Sequence, residues 1–300
     1  MQRRRRNQRE PKGITLELTP LKVSILQKLN HYYDLPTSFI CALHPESADQ
    51  YIGRVLRKMY EENNPFKLPL LARDDMYGDH FSKQEVHMLG PGGKIASEQL
   101  GLESHTLGKG MQKYHEKMLI ACSASIEIAC QQNGRTFHNT TAIINRPQTP
   151  AAAKTAKNPR RVRLDDKRSL VMDDLFSVGY PDGFLHFGLE VDTGTEQLEK
   201  RPKYSSLEQK LEYAKEFYDR KLFKSFYGLP SLLTLFVTVS EVRMRNMMQL
   251  ATKIGLGNPA LFTFIPEYAK KYRPYKPAPQ LLTQQWYRGN GKPFSLVEGK

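Results

Sequence analysis

The run from Leu232 to Val239 constrains this chain more than any other segment. It is Leu-Leu-Thr-Leu-Phe-Val-Thr-Val, a continuous β-rich stretch that needs apolar cover on both faces. That is the environment of a central strand in a sheet packed between helices. Even when extended back to Leu229, the run is too short to cross a membrane, which takes about 18 apolar residues. It is also interrupted by Pro230, Thr234 and Thr238.

Helical patterns flank the run. Before it, Ser205 and Glu208 form a capping box ahead of Leu207, Leu211, Ala214 and Tyr218. After it, the spacing predicts a helix over 241–253 and a strand over 261–265. Further upstream, a long helix over 111–131 carries Met118, Cys122, Ser125, Ile126 and Ala129 on one side, and Asn133-Gly134 ends it. Residues 136–144 are β-rich. Helix, strands, helix, strand, helix, strand is the order of an α+β or α/β domain with a central mixed sheet, spanning 111–267. Within it, 145–168 reads as a mobile basic loop, either solvated or a nonspecific phosphate clamp through Arg160, Arg161 and Arg163. Residues 268–300 read as a basic aromatic tail with Trp286, more an arm over its own domain than a stacking platform.

The N-terminal third has a different texture. Residues 1–13 are an Arg-rich tail, and the start lacks the apolar run of a secretory signal. Thr19-Pro20 opens a helix bearing Leu21, Ile25, Leu26, Leu29 and Tyr33. Leu35-Pro36 ends it. Thr37 caps a second, short helix with Phe39, Ile40 and Leu43, and His44-Pro45 breaks the chain again. Ser47 starts a third, with Tyr51, Val55, Leu56 and Met59 as its buried stripe. Alternating Leu68, Leu70 and Ala72, then a strand over 85–89, make a hairpin, and a helix over 94–100 closes the domain. Three short helices, a hairpin and a closing helix predict a winged helix-turn-helix over 14–101, with a linker over 102–110. In that arrangement the third helix enters the major groove, and Gln50, Arg54, Arg57 and Lys58 become base or phosphate contacts.

Charge agrees with this reading. Among 300 residues, 45 Lys and Arg against 31 Asp and Glu leave a net +14, which favours polyanions. The three cysteines, Cys41, Cys122 and Cys130, lack Cys-x-x-Cys spacing and read as free thiols in a reducing, cytoplasmic compartment. The eight histidines form no zinc pattern.

The stretch 177–196 carries the most chemistry. A turn near Phe187-Gly188 would pair 180–187 with 189–193, putting Asp182 opposite Asp192, with Glu190 and Asp192 on one face. Three carboxylates gathered in this way repel unless a cation joins them, and Mg²⁺ suits such oxygen ligands. The competing reading is a plain Pro-Asp-Gly turn and a strand end.

Leu18-Thr19-Pro20 through Leu89-Gly90-Pro91-Gly92-Gly93, Tyr114-His115-Glu116, Pro181-Asp182-Gly183, Leu189-Glu190-Val191-Asp192-Thr193-Gly194-Thr195-Glu196 and Lys210-Leu211-Glu212-Tyr213 occur in order. In this the chain resembles the replication-relaxation family of plasmid and mobile-element proteins, from about Leu18 to Leu250. The resemblance implies DNA binding in replication, relaxation or transfer. The second half also looks like a PD-(D/E)xK restriction-endonuclease-like domain. That likeness implies Asp182 and Glu190 as metal-holding acids. Asp192 stands at the lysine position, where it cannot supply positive charge but could add a metal ligand. Lys210 is then the cation that would swing in. The expectations are a non-catalytic DNA-binding factor or a Mg²⁺-dependent endonuclease with Asp182, Glu190, Asp192 and Lys210. A transcriptional regulator or protein-binding adaptor is a third option. Expected partners are double-stranded DNA and other replication or transfer proteins. A homodimer is compatible with the sequence, and no membrane is expected.

Overall fold

Prolines used as punctuation in the sequence mark real boundaries. Pro20 is the first residue of α1 (Pro20–Tyr32), Pro36 closes β1 (Asp34–Pro36) and N-caps α2 (Thr37–Leu43), and Pro91 opens a later helix. Each lacks the N–H that those positions leave unused. The computed structural model describes residues 17–61, 71–73, 85–102, 113–194, 207–269 and 275–300. The chain divides into two units, residues 1–109 with 272–277, and residues 110–271 with 278–300. The basic tail over 1–13, Leu68, Leu70 and Ser205 lie outside the described residues.

In the first unit, α3 (Asp49–Glu61) follows α2. β2 (Leu71–Arg73) and β1 then pair antiparallel on either side of β3 (Val86–Leu89), and α4 (Pro91–Gln99) follows. The core comes from Ile25, Leu26 and Leu29 of α1, Phe39 and Ile40 of α2, and Ile52, Leu56 and Met59 of α3. Tyr33, read at helical spacing, and Tyr51, read on a buried stripe, are outside it. Tyr33 ends α1 at positive φ and Tyr51 is 48% exposed, with Ile52 taking the buried place. β1 has no signal in the sequence. Three residues that are buried throughout show no alternation, and the strand exists because β3 offers it partners. The Thr37 N–H and hydroxyl both donate to the Glu85 carbonyl, at 2.9 and 3.1 Å, which fixes the start of α2 against that strand.

The second unit is built on a seven-stranded mixed sheet. α5 (Lys113–Gln132) enters first. It is buried on all sides from Lys117 to Cys130, not along one stripe. β4 (Phe137–His138) forms one edge of the sheet. The expected β-run stops there, because Asn139 accepts the Ala142 N–H at 2.9 Å and caps α6 (Thr140–Ile144).

The segment expected as a mobile loop is folded. It holds α7 (Ala151–Lys154) and a hairpin of β5 (Arg161–Arg163) with β6 (Ser169–Val171). Ala153, Val162 and Leu164 are buried, and that burial pins a strip whose composition looked too polar to pack. The Tyr227 hydroxyl and Arg220 reach across to the carbonyls of Pro159 and Leu164.

β7 (Asp174–Tyr180) and β8 (Gly183–Val191) form a long hairpin. β8, β9 (Leu233–Thr238) and β10 (Ala260–Phe264) are parallel, linked first by α8 (Leu207–Asp219) and α9 (Leu222–Tyr227), then by α10 (Glu241–Ile254). The β-rich run 232–239 therefore supplies the middle parallel strand. The presumed tail completes the sheet. After α11 (Gln280–Thr283), β11 (Gln285–Arg288) and β12 (Pro293–Ser295) add antiparallel strands beyond β10. Trp286 is fully buried and its indole N–H donates to the Leu281 carbonyl at 2.8 Å. The expected domain end at 267 is thus too early.

Candidate functional site

The β7–β8 hairpin turns at Pro181-Asp182. Its register pairs Tyr180 with Gly183, Phe176 with Phe187 and Asp174 with Leu189. Gly183 takes φ 131, a conformation that side chains resist. Gly188, expected in a turn, sits mid-strand opposite Leu175, where any Cβ would lie 2.6 Å from the Met172 sulfur. This places Asp182 exposed at the tip, roughly 26 Å along the strand from Glu190. The expected convergence of Asp182 with Glu190 and Asp192 does not occur.

The same register carries Asp173, one step beyond the Asp174–Leu189 pair, to the level of Glu190. The Asp173 N–H donates to the Leu189 carbonyl at 3.1 Å. Its Oδ2 accepts from the Val191 N–H at 2.9 Å and from His115 Nε2 at 3.0 Å. His115 comes from the first turn of α5 and Lys210 from the first turn of α8, so three separated segments meet at one end of the hairpin. Burial raises the carboxyl of Asp173, but the His115 hydrogen bond and charge, the Lys210 charge and the Val191 N–H outweigh it, so its pKa is held below the usual range. Burial lowers His115, yet its bonds to Asp173 and the Val191 backbone win over that and over Lys210, and its pKa is raised. The result is a part-open centre of two carboxylates, an imidazole and an ammonium, with His115 and Asp173 side chains 22% and 17% exposed. Glu190 is buried, and Tyr218, whose hydroxyl meets Thr234 Oγ1 at 2.7 Å, feels its charge.

The neighbouring acids are fully engaged. Asp174 accepts from Ser123 at 2.5 Å, from Thr140 at 3.2 Å and from the Leu175 N–H at 2.8 Å, with no exposure. Asp192 Oδ2 accepts from Thr238 at 2.7 Å and Arg243 Nε at 2.5 Å. Its Oδ1 accepts from Arg243 Nη2 at 2.8 Å and the Gly194 N–H at 3.3 Å. Four donors fill the roughly four lone-pair sites of a carboxylate. Asp192 is a buried anchor for Arg243, which itself lies in the first turn of α10 behind the Ser240 cap. Among the described residues no group of three or more His, Cys, Asp or Glu side chains is arranged to hold a metal ion.

Sequence reasoning missed Asp173 and Arg243. The available signal for Asp173 was the acidic doublet ahead of the β-rich run 175–178. Nothing local marks Arg243, 51 positions from its partner.

In the first unit, Gln50, Arg54, Arg57 and Lys58 are all exposed on α3, at i, i+4, i+7 and i+8, opposite the buried stripe. The Arg54 guanidinium lies 5.9 Å from the Tyr51 ring centroid. In the second unit Arg161 and Arg163 are exposed on β5, while Arg160 turns inward to the Asp173 carbonyl. The chain matches no protein-family model, no curated protein and no solved structure.

Proposed function

We propose that this protein binds double-stranded DNA through α3 and acts in replication, relaxation or transfer of a plasmid-like element, or in its control. The supporting observation is the polar face Gln50, Arg54, Arg57 and Lys58, presented by a helix whose other side is packed. The order of α1, β1, α2, α3, β2 and β3, with β1 and β2 flanking β3, suits a winged helix in which α3 is the reading helix. The +14 net charge supplies sequence-independent attraction. A cytoplasmic setting fits three unpaired cysteines; no described helix is long and apolar enough to cross a membrane. The test is duplex binding by fluorescence anisotropy across a salt series. Arg54→Glu with Arg57→Glu should weaken binding at least tenfold and make the log–log salt slope shallower by about 1.8, two duplex phosphate contacts. Unchanged duplex affinity in that variant overturns the reading, and salt-insensitive or absent affinity in the native chain points to an adaptor that binds protein.

A second reading rests on the hairpin register. Asp173 at the level of Glu190, under the charge of Lys210, makes a PD-(D/E)xK-like set with Asp173 in place of Asp182 and Lys210 in place of Asp192. Mg²⁺ is commonly held by one or two carboxylates plus phosphate oxygens, which two acids satisfy. Asp173 and Glu190 would hold it, and it would supply an activated water. Asp173 Oδ1 has no protein donor among the described residues, His115 holds the carboxylate ionised and oriented, and Lys210 would steady the attacking water. Nicking of supercoiled plasmid with Mg²⁺ should disappear in Asp173→Ala and Glu190→Ala and persist in Asp182→Ala. Binding without nicking by the native chain leaves the DNA-binding factor.

A further inference from the structure

The second unit carries a concave basic surface far in sequence from α3. Residues 146–164 contain six Lys and Arg and no acid. Folded, this strip and α9 enclose a groove of about 780 Å³ lined by Lys157, Asn158, Arg161, Arg163, Leu222 and Phe226, among others. That volume lies within the roughly 300–1,000 Å³ of ligand clefts.

The groove is built in advance. Its walls are tied by the Tyr227 hydroxyl to the Pro159 carbonyl at 2.7 Å and by Arg220 to the Leu164 carbonyl at 2.5 Å. Gly228 ends α9 with φ 68, where a Cβ would lie 2.7 Å from the Gln148 carbonyl oxygen. The backbone of α9 therefore sits directly on the basic strip. Alternation on β5 buries Val162 and turns Arg161 and Arg163 outward together. Two nearby acids are committed elsewhere. Asp165 takes Arg168, and Glu216 takes Arg168 and Arg220. No ion pair among the described residues uses Lys157, Arg161 or Arg163.

Uncommitted cations around a partly apolar wall with a half-buried aromatic ring need a ligand that is anionic on one side and flat and apolar on the other. We infer that this groove binds single-stranded nucleic acid, with Lys157, Arg161 and Arg163 on phosphates and the Phe226 ring under a base. A duplex hides its base faces and would leave Phe226 unused, whereas a single strand offers both groups to one groove. This goes beyond duplex recognition by α3 and stands without it.

The test is anisotropy of the full chain with a fluorescent oligothymidylate and with an abasic strand of equal length. Arg161→Glu with Arg163→Glu should weaken oligothymidylate binding at least tenfold and make the log–log salt slope shallower by about 1.4, two single-strand phosphate contacts. Phe226→Ala should cost about tenfold, within the lower half of the base-stacking range, and the abasic strand should bind about tenfold more weakly than oligothymidylate. Phe226→Leu keeps apolar bulk against Tyr227 and should lose the same factor, which separates stacking from folding. Arg54→Glu with Arg57→Glu should leave single-strand binding intact, so failure of the α3 reading is seen separately. Unchanged affinity in Arg161→Glu with Arg163→Glu, or equal affinity for the abasic strand, overturns the inference.

Discussion

Asp173 and Asp192 flank the same end of the central hairpin and live in opposite surroundings. Asp192 is sealed: Arg243, Thr238 and a backbone N–H occupy both oxygens, and its side chain is 6% exposed. Asp173 is held on one oxygen by His115 and the Val191 N–H, with its side chain part-open. The contrast teaches how to choose between acids in one neighbourhood. A carboxylate with every lone pair filled by protein is architecture; one held by a single oxygen is oriented and still has capacity to bind.

The largest effect that would test this contrast belongs to the sealed acid. Asp192→Ala removes the bidentate acceptor of a mostly buried guanidinium and should cost about 3 kcal/mol in urea unfolding. The contrast fails if Asp173→Ala is equally destabilising. Next comes pH. The raised pKa of His115 contributes stability that is full below its ordinary value of about 6.5 and fades as pH rises through the folded value. The depressed pKa of Asp173 contributes stability present above about 4 and lost as pH falls through its folded value. The pair is thus strongest between these limits. About 1–2 kcal/mol should be lost on raising the pH well past the His115 transition, and His115→Ala should remove that dependence.

A smaller shift sharpens the picture: Lys210→Ala should move the His115 ring-proton titration, followed by NMR, to higher pH, because the lysine charge lowers it. No movement would mean Lys210 is not part of this centre. Smallest of all, Asp182→Ala at the exposed turn should change stability by less than about 0.5 kcal/mol in the same unfolding experiment.

What could be read from sequence follows the range of the signal. α3, α5, α8 and α10 were visible because helical spacing repeats every turn, and β9 and β10 because short, charge-free, β-rich runs admit few other uses. The hairpin register was not, since Gly188 looks like a turn residue until Met172 is seen lying against it. β5, β11 and β12 are short, carry Arg or Pro, and gain their burial from distant partners. The candidate centre suffered most. Pro181-Asp182-Gly183 had the look of chemistry and is a turn. The acid that does lie at the level of Glu190 is fixed only by pairing across the strands.

The edge of β10 has a further consequence, for the order of folding. Ala260-Leu-Phe-Thr-Phe264 is an uncharged, proline-free ribbon. One side is paired with β9, reached only through the α10 crossover, and the other with β11. The β7–β8 hairpin can zip locally, whereas the parallel strands must wait for long loops to close. Until Trp286 swings in with β11, the ribbon shows bare amides to any passing copy. A chain caught before that pairing offers a neighbouring copy an open strand edge to add to.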